Sequence, residues 1–135
     1  SVSYVNGILW AATYFGASRY DGRNWRTFLD KDSGLPGNFL NQVKSVDGTR
    51  TWFSTDKGLA YFDGERWAVY RPALAGGSPE MLVRNAAGEI TRVPVETAPA
   101  HHYTFGVDFH GDDIWVATAK GVSHGIRIKP GEQSR

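Results

Sequence analysis

The chain repeats itself at an interval of 42 residues. Gly16-Ala17-Ser18-Arg19-Tyr20-Asp21-Gly22-Arg23-Asn24-Trp25 aligns with Gly58-Leu59-Ala60-Tyr61-Phe62-Asp63-Gly64-Glu65-Arg66-Trp67. Upstream, Trp10-Ala11-Ala12-Thr13 matches Trp52-Phe53-Ser54-Thr55, and downstream Phe28 falls on Tyr70. A third copy opens at Trp115-Val116-Ala117-Thr118, with Gly121 again six residues after the Trp. A period of roughly 40–50 residues built from short strands points to a β-propeller with one blade per repeat.

Alternation and turn residues divide each copy into strands. The first copy predicts Val2 to Val5, Ile8 to Thr13, Gly16 to Tyr20 and Trp25 to Phe28. The second predicts Phe39 to Val46, Thr51 to Thr55, Gly58 to Phe62 and Trp67 to Tyr70. In the third, Tyr103 to Phe109, Asp113 to Thr118 and Val122 to Ile126 follow, and then the pattern stops. Ile126-Arg127-Ile128 stands where an Asp-Gly hairpin belongs, before a polar tail from Pro130 to Arg135. The expected fold is therefore all-β: a β-propeller fragment of about three four-stranded antiparallel blades, near 1–30, 38–71 and 103–128, with the last incomplete. No helix longer than about two turns is expected, because no apolar 3.6-residue period persists. Between the second and third copies lies the insertion 72–102, which lengthens the repeat by about 21 residues, since Trp52 to Trp115 spans 63 rather than 42. Within it, Met81 to Arg84 and Glu89 to Val93 alternate around Ala87-Gly88 as an extra hairpin.

Composition narrows the function classes. The net charge is +1, with 15 basic and 14 acidic side chains dispersed along the chain. No basic block could neutralise a row of phosphates, so nucleic acid is not an expected partner. Apolar runs fall far short of the ~20 residues that span a bilayer, and no membrane insertion is expected in this segment. The absence of Cys removes disulfides and thiolate metal sites. No signal-peptide pattern is present, and the start at Ser1 rather than Met suggests a trimmed or processed chain.

Gly34-Leu35-Pro36-Gly37-Asn38, Val43, Asp47-Gly48, Trp52, Thr55, Gly58-Leu59, Phe62-Asp63-Gly64, Trp67 and Tyr70 form a series that resembles the two-component regulator propeller repeat. That repeat occurs in the periplasmic sensor regions of bacterial hybrid signalling proteins. The second copy matches end to end, and the first from Trp10 onward with Ala17 in place of the usual Leu. The third copy matches only from Phe109 to Gly121. The resemblance implies a non-enzymatic sensor domain in signal transduction, periplasmic or otherwise extracytoplasmic, that binds a carbohydrate or another small polar ligand. It implies no shared catalytic residues.

The recurring tryptophans are expected to be inter-blade core, since large aromatics dominate such packing. Ligand reading is expected where equivalent turns differ in chemistry. On one rim these are Tyr14, Phe15, Asn38, Asp56, Lys57 and Lys120, together with Arg84, His101 and His102 of the insertion. His101 and His102 are adjacent and lack a third ligand, so neither a metal nor another cofactor is expected. Asp112-Asp113 reads as a solvated turn pair, and no nucleophile–base spacing stands out. Two rival readings remain: a lyase resembling the streptogramin lyases, with His101 or His102 as its base, and a purely structural assembly module. Because a propeller closes with about 4–8 blades, three should leave open faces, covered by a second copy in a six-bladed homo-oligomer or by further blades of a longer chain.

Overall fold

The computed structural model describes residues 1–73 and 77–126. Among them there is no helix; thirteen strands form three antiparallel sheets. The first sheet contains β1 (Val2–Val5), β2 (Ile8–Thr13), β3 (Gly16–Tyr20) and β4 (Trp25–Phe28) in sequential order. The second contains β5 (Leu40–Ser45), β6 (Thr51–Thr55), β7 (Gly58–Phe62), β8 (Trp67–Arg71), β9 (Glu80–Arg84) and β10 (Ile90–Pro94), again in order. The third contains β11 (Thr104–His110), β12 (Asp113–Thr118) and β13 (Gly121–Ile126). The expected Ile126-Arg127-Ile128 irregularity and the polar tail lie outside the described residues, apart from Ile126.

The second sheet departs from the four-stranded expectation. The hairpin of the insertion does not stand apart; β9 pairs with β8, Trp67 opposite Arg84 and Arg71 opposite Glu80. Its alternating residues extend a sheet whose outer edge would otherwise present unpaired N–H and C=O groups. The hairpin is thus part of the scaffold.

One local device recurs three times. In Thr13-Tyr14-Phe15-Gly16 the Thr13 hydroxyl donates to the Gly16 carbonyl at 2.9 Å and accepts from the Phe15 N–H at 3.0 Å. Thr55 and Gly58 repeat this around Asp56-Lys57, and Thr118 and Gly121 around Ala119-Lys120. The closing glycine has φ of +90°, +139° and +100° in turn, a region closed to most side chains. At the opposite end, Asp21 and Asp63 each accept two backbone N–H bonds from the residues two and three ahead. These side-chain turns are why Thr and Asp-Gly recur at fixed places in the repeat.

The sheets pack face to face. Trp10, 0% exposed, faces the second sheet, where its ring meets Phe53 and Phe62 at centroid distances of 5.3 and 6.1 Å. Its indole N–H donates to the Gly48 carbonyl at 2.8 Å. Trp52, one repeat later, packs with Leu59 against Val107 and Val116 of the third sheet. Trp67 lies in the first cluster, beneath the connection from β4 to β5. Gly34 of that connection sits so close that a Cβ there would fall 2.1 Å from the Trp67 Cβ.

Two tryptophans break the expectation that all five are core: Trp25 is 61% exposed and Trp115 is 48% exposed. Trp25 occupies the place of Trp67, and Trp115 that of Trp10 and Trp52. Among the described residues no sheet faces either one. A repeat position is buried only where the neighbouring sheet exists.

Side chains also stitch the inner strands together. The Ser1 and Ser3 hydroxyls accept the Val43 and Ser45 N–H groups of β5 at 3.2 and 3.0 Å. The Gln42 side chain accepts the Val107 N–H at 2.6 Å, and the Asn41 amide donates to the Thr104 carbonyl at 2.8 Å. Lys44 pairs with Asp108 across the same boundary. These bonds satisfy the polar edge that an innermost strand turns toward its neighbour.

Candidate functional site

The three Thr-x-x-Gly turns emerge at the end of the sheets where β5 and β11 begin. The Gly16 N–H donates to the Asn38 carbonyl at 2.9 Å, the Asp56 N–H to the Phe39 carbonyl at 3.3 Å, and the Ala119 N–H to the Tyr103 carbonyl at 3.0 Å. Each turn is thus tied to the segment entering an innermost strand. Because Thr and Gly carry the turn, its two middle side chains are free to differ.

Tyr14, Asn38, Asp56 and Lys57 come together on this rim. Tyr14 meets Phe39 edge-to-face at 5.5 Å. Gly37 lies against the side chains of Lys57 and Asp56. Phe15 projects outward, 83% exposed. A depression of about 260 Å³ opens between the inner strands of the first two sheets, lined by Ser1, Ala12, Thr13, Tyr14, Leu40 and Asn41. It falls slightly below the ~300–1,000 Å³ of drug-sized pockets, a size for a small ligand group.

The polar residues of this group are not equally available. Asn38 donates its amide to the Asp30 carboxylate at 2.9 Å and accepts the Asp30 N–H at 2.9 Å, so its side chain holds the connection in shape. Asp56 Oδ1 is buried without a hydrogen-bond partner among the described residues. Lys57 is exposed.

A second group forms at the third sheet. His101 and His102 stack with ring centroids 4.2 Å apart. The His101 Nδ1 accepts the Tyr103 N–H at 3.0 Å, leaving Nε2 as its outward atom. Desolvation, the neighbouring His102 and the Lys120 charge hold His101 below the ordinary imidazole value. Tyr103 and Phe105 pack together at 5.0 Å and are both exposed.

Arg84 does not join either group. The pairing of β8 with β9 puts it opposite Trp67, at the far end of the sheet from the Asp56-Lys57 turn. Its guanidinium donates to the Ser33 carbonyl, clamping the connection over Trp67. A smaller cavity of about 170 Å³ beside it is lined by the connection and by Trp67, Val69 and Leu82. Arg84 thus belongs to the packing of the β4–β5 connection, and the expectation that it lies on the rim is corrected.

Three aromatics on the rim escaped sequence reasoning: Phe39, Tyr103 and Phe105. Phe39 and Tyr103 precede the first residues of β5 and β11, an equivalence the repeat contains but strand assignment hides. Asp113 opens β12 and stays half exposed, with its Oδ1 2.8 Å from His124 Nε2. The His124 ring stacks on Trp115 at 4.2 Å. Among the described residues no three His, Cys, Asp or Glu side chains are placed to hold a metal ion, and no helix is long and apolar enough to cross a membrane.

No family model and no curated protein matches the chain. Among solved structures it is similar to the extracellular domain of BT4673 from B. thetaiotaomicron, described in one structure as a one-component system and in another as a hybrid two-component system. Both matches have a TM-score of 0.41 and 12% identity, covering 95% and 91% of this chain but 27% and 26% of those chains. The chain therefore spans about a quarter of their length, and no residue role is carried over from them.

Proposed function

We propose that the chain is a non-enzymatic β-propeller sensor module of a bacterial signalling protein, working in the periplasm or elsewhere outside the cytoplasm. In this reading each sheet is one blade, and the rim that bears Tyr14, Phe39 and Lys57 binds a carbohydrate or another small polar ligand. The observation that carries the binding site is the depression of about 260 Å³ beside the Tyr14–Phe39 pair. Aromatic faces supply apolar contact for a ring, and Asn41 and Lys57 supply groups for hydroxyls or an acidic substituent. The sensor and extracytoplasmic parts rest on the resemblance of the repeat, residue by residue in the second copy. Against an enzyme stands the setting of His101. Its Nδ1 accepts the Tyr103 N–H, so a carboxylate cannot orient the ring through that atom as it does for a general base in a triad.

Calorimetric titration against a panel of neutral and acidic oligosaccharides tests this. A ligand of the rim should lose at least roughly tenfold in affinity on Tyr14→Ala or Phe39→Ala, about 1.4 kcal/mol, and be indifferent to Arg84→Ala. Binding that ignores the rim variants, or a panel without a binder, would refute the reading.

A further inference from the structure

We propose that the cavity between the outer hairpin and the β4–β5 connection is a second binding site, which takes a small carboxylate with a flat or branched apolar body. The site is separate from the rim and does not rest on the sensor reading.

All of the residues lining this cavity of about 170 Å³ fall between Asp30 and Ile90. The connection forms one wall and a face of the second sheet forms the other. On that face, alternation and register set three rows. Trp67 lies opposite Arg84, and Arg84 opposite Ile90; Val69 lies opposite Leu82; Arg71 lies opposite Glu80. Val69, Leu82 and the Trp67 ring make an apolar floor, with an arginine at each end of it. The repeat does not account for this arrangement, because Leu82, Arg84 and Ile90 all come from the insertion.

The polar groups at the cavity are donors without an acceptor of matching charge. Arg84 is partly buried, and its guanidinium donates to the neutral Ser33 carbonyl. It pairs with no carboxylate among the described residues, and Arg71 has no hydrogen-bond or ion-pair partner among them. The nearby carboxylates are engaged elsewhere. Glu80, opposite Arg71, pairs with Arg92 at 3.5 Å. Asp30, which lines the cavity, accepts the Asn38 amide at 2.9 Å. Two arginines against Asp30 leave the lining net positive.

Trp67 adds a third donor. The Trp10 indole N–H is bonded to the Gly48 carbonyl, whereas that of Trp67 has no partner among the described residues. The Trp67 Cδ1, next to the ring nitrogen, is 3.1 Å from the point where a Cβ on Gly34 would stand. This edge of the ring therefore faces the connection that lines the cavity. A guanidinium fork matches the two oxygens of a carboxylate, and such bonds strengthen where water is partly excluded. The apolar floor calls for a hydrocarbon body on the same molecule. A volume below the ~300–1,000 Å³ of drug-sized pockets suits one ring or a short branched chain.

An NMR titration of the full chain with benzoate, read at the indole N–H signals, tests the proposal. Benzoate should shift the Trp67 signal saturably with a Kd of roughly 1–10 mM, while the Trp10 and Trp52 signals stay in place. Benzamide has the shape without the charge, and sulfate the charge without the body; each should bind at least roughly tenfold more weakly. Arg71→Gln removes an exposed cation and leaves the Arg84 clamp intact. It should weaken benzoate by at least roughly tenfold at an unchanged urea midpoint. Should that variant fail to fold, Ile90→Glu places a carboxylate at the cavity through a side chain that is 65% exposed, and should weaken benzoate likewise. Absence of saturation by about 50 mM, benzamide or sulfate binding as well as benzoate, or variants that bind like the parent would each overturn the site. Benzoate that perturbs the rim and leaves Trp67 unshifted overturns it too, without touching the sensor reading.

Discussion

Replacing Trp10 tests how the sheets hold together. Its side chain is fully buried, and burying a Trp removes roughly 200 Å² from water, worth about 5 kcal/mol at 25 cal/mol per Å². That area is an upper bound, because the unfolded chain already shields part of it. Measured Trp→Ala costs of about 3–5 kcal/mol agree with it. The indole N–H bonded to Gly48 adds a second cost: truncation leaves the carbonyl without its partner, roughly 1–3 kcal/mol if water cannot reach it. Trp10→Ala should therefore lose about 4–6 kcal/mol, a large share of the 5–15 kcal/mol typical of a domain. Trp10→Phe keeps the ring contacts with Phe28, Phe53 and Phe62 but not the hydrogen bond, and should lose about half as much. Urea unfolding followed by circular dichroism, at one fixed protein concentration, measures both. Equal losses for Ala and Phe would show that the hydrogen bond, and not ring packing, carries most of the stabilisation. A loss below about 1 kcal/mol in Trp10→Ala would refute burial at a sheet junction.

Gly34→Ala should destabilise the chain by about 1–3 kcal/mol or more, read from the same urea transition, because its Cβ would overlap Trp67; a neutral result would mean the connection does not press on Trp67. Acid should weaken the fold. The Lys44 ammonium and the Phe109 N–H hold the Asp108 carboxyl below 3.8, as the Asn24 and Arg23 N–H groups hold Asp21. A depressed carboxylate contributes stability that is present above the unfolded value and lost as pH falls through the folded one. The urea midpoint should thus drop below about pH 4, less so in Asp108→Asn, and a midpoint flat from pH 5 to 2 would contradict this. In an NMR titration the His101 ring should protonate below 6.5 and rise toward that value in Lys120→Ala, since burial, His102 and Lys120 all disfavour its cation.

Strand positions were legible because the repeat aligns Trp, Thr, Gly and Asp-Gly, and each of these serves a local turn or a sheet junction. The strands β1 to β4, β6, β7 and β12 begin and end at the residues expected from sequence, and β5 is one residue shorter at each end. The remaining strands shift by a residue at their termini, where pairing beyond the turn decides the boundary. The outer hairpin was visible as a hairpin, but its docking on β8 was not. Alternation in Met81 to Arg84 says that a strand has two faces, not which edge it joins. Arg84 was misplaced for that reason alone.

The tryptophans show a different limit. Trp10, Trp52 and Trp115 are one residue as far as the repeat can tell, yet the first is sealed and the third is half exposed. Burial at a sheet junction belongs to two sheets, and the second of them is not encoded in the residues around the Trp. The rim inverts that logic. Tyr14-Phe15, Asp56-Lys57 and Ala119-Lys120 differ because Thr and Gly on either side complete each turn without them. A frame that needs nothing from two of every four turn residues leaves them open to selection for a ligand. The same reasoning extends to Phe39 and Tyr103, whose carbonyls accept the turn N–H groups of the frame while their rings stay in solvent. Identity at a repeat position thus reports what the fold requires, and divergence marks where the fold requires nothing.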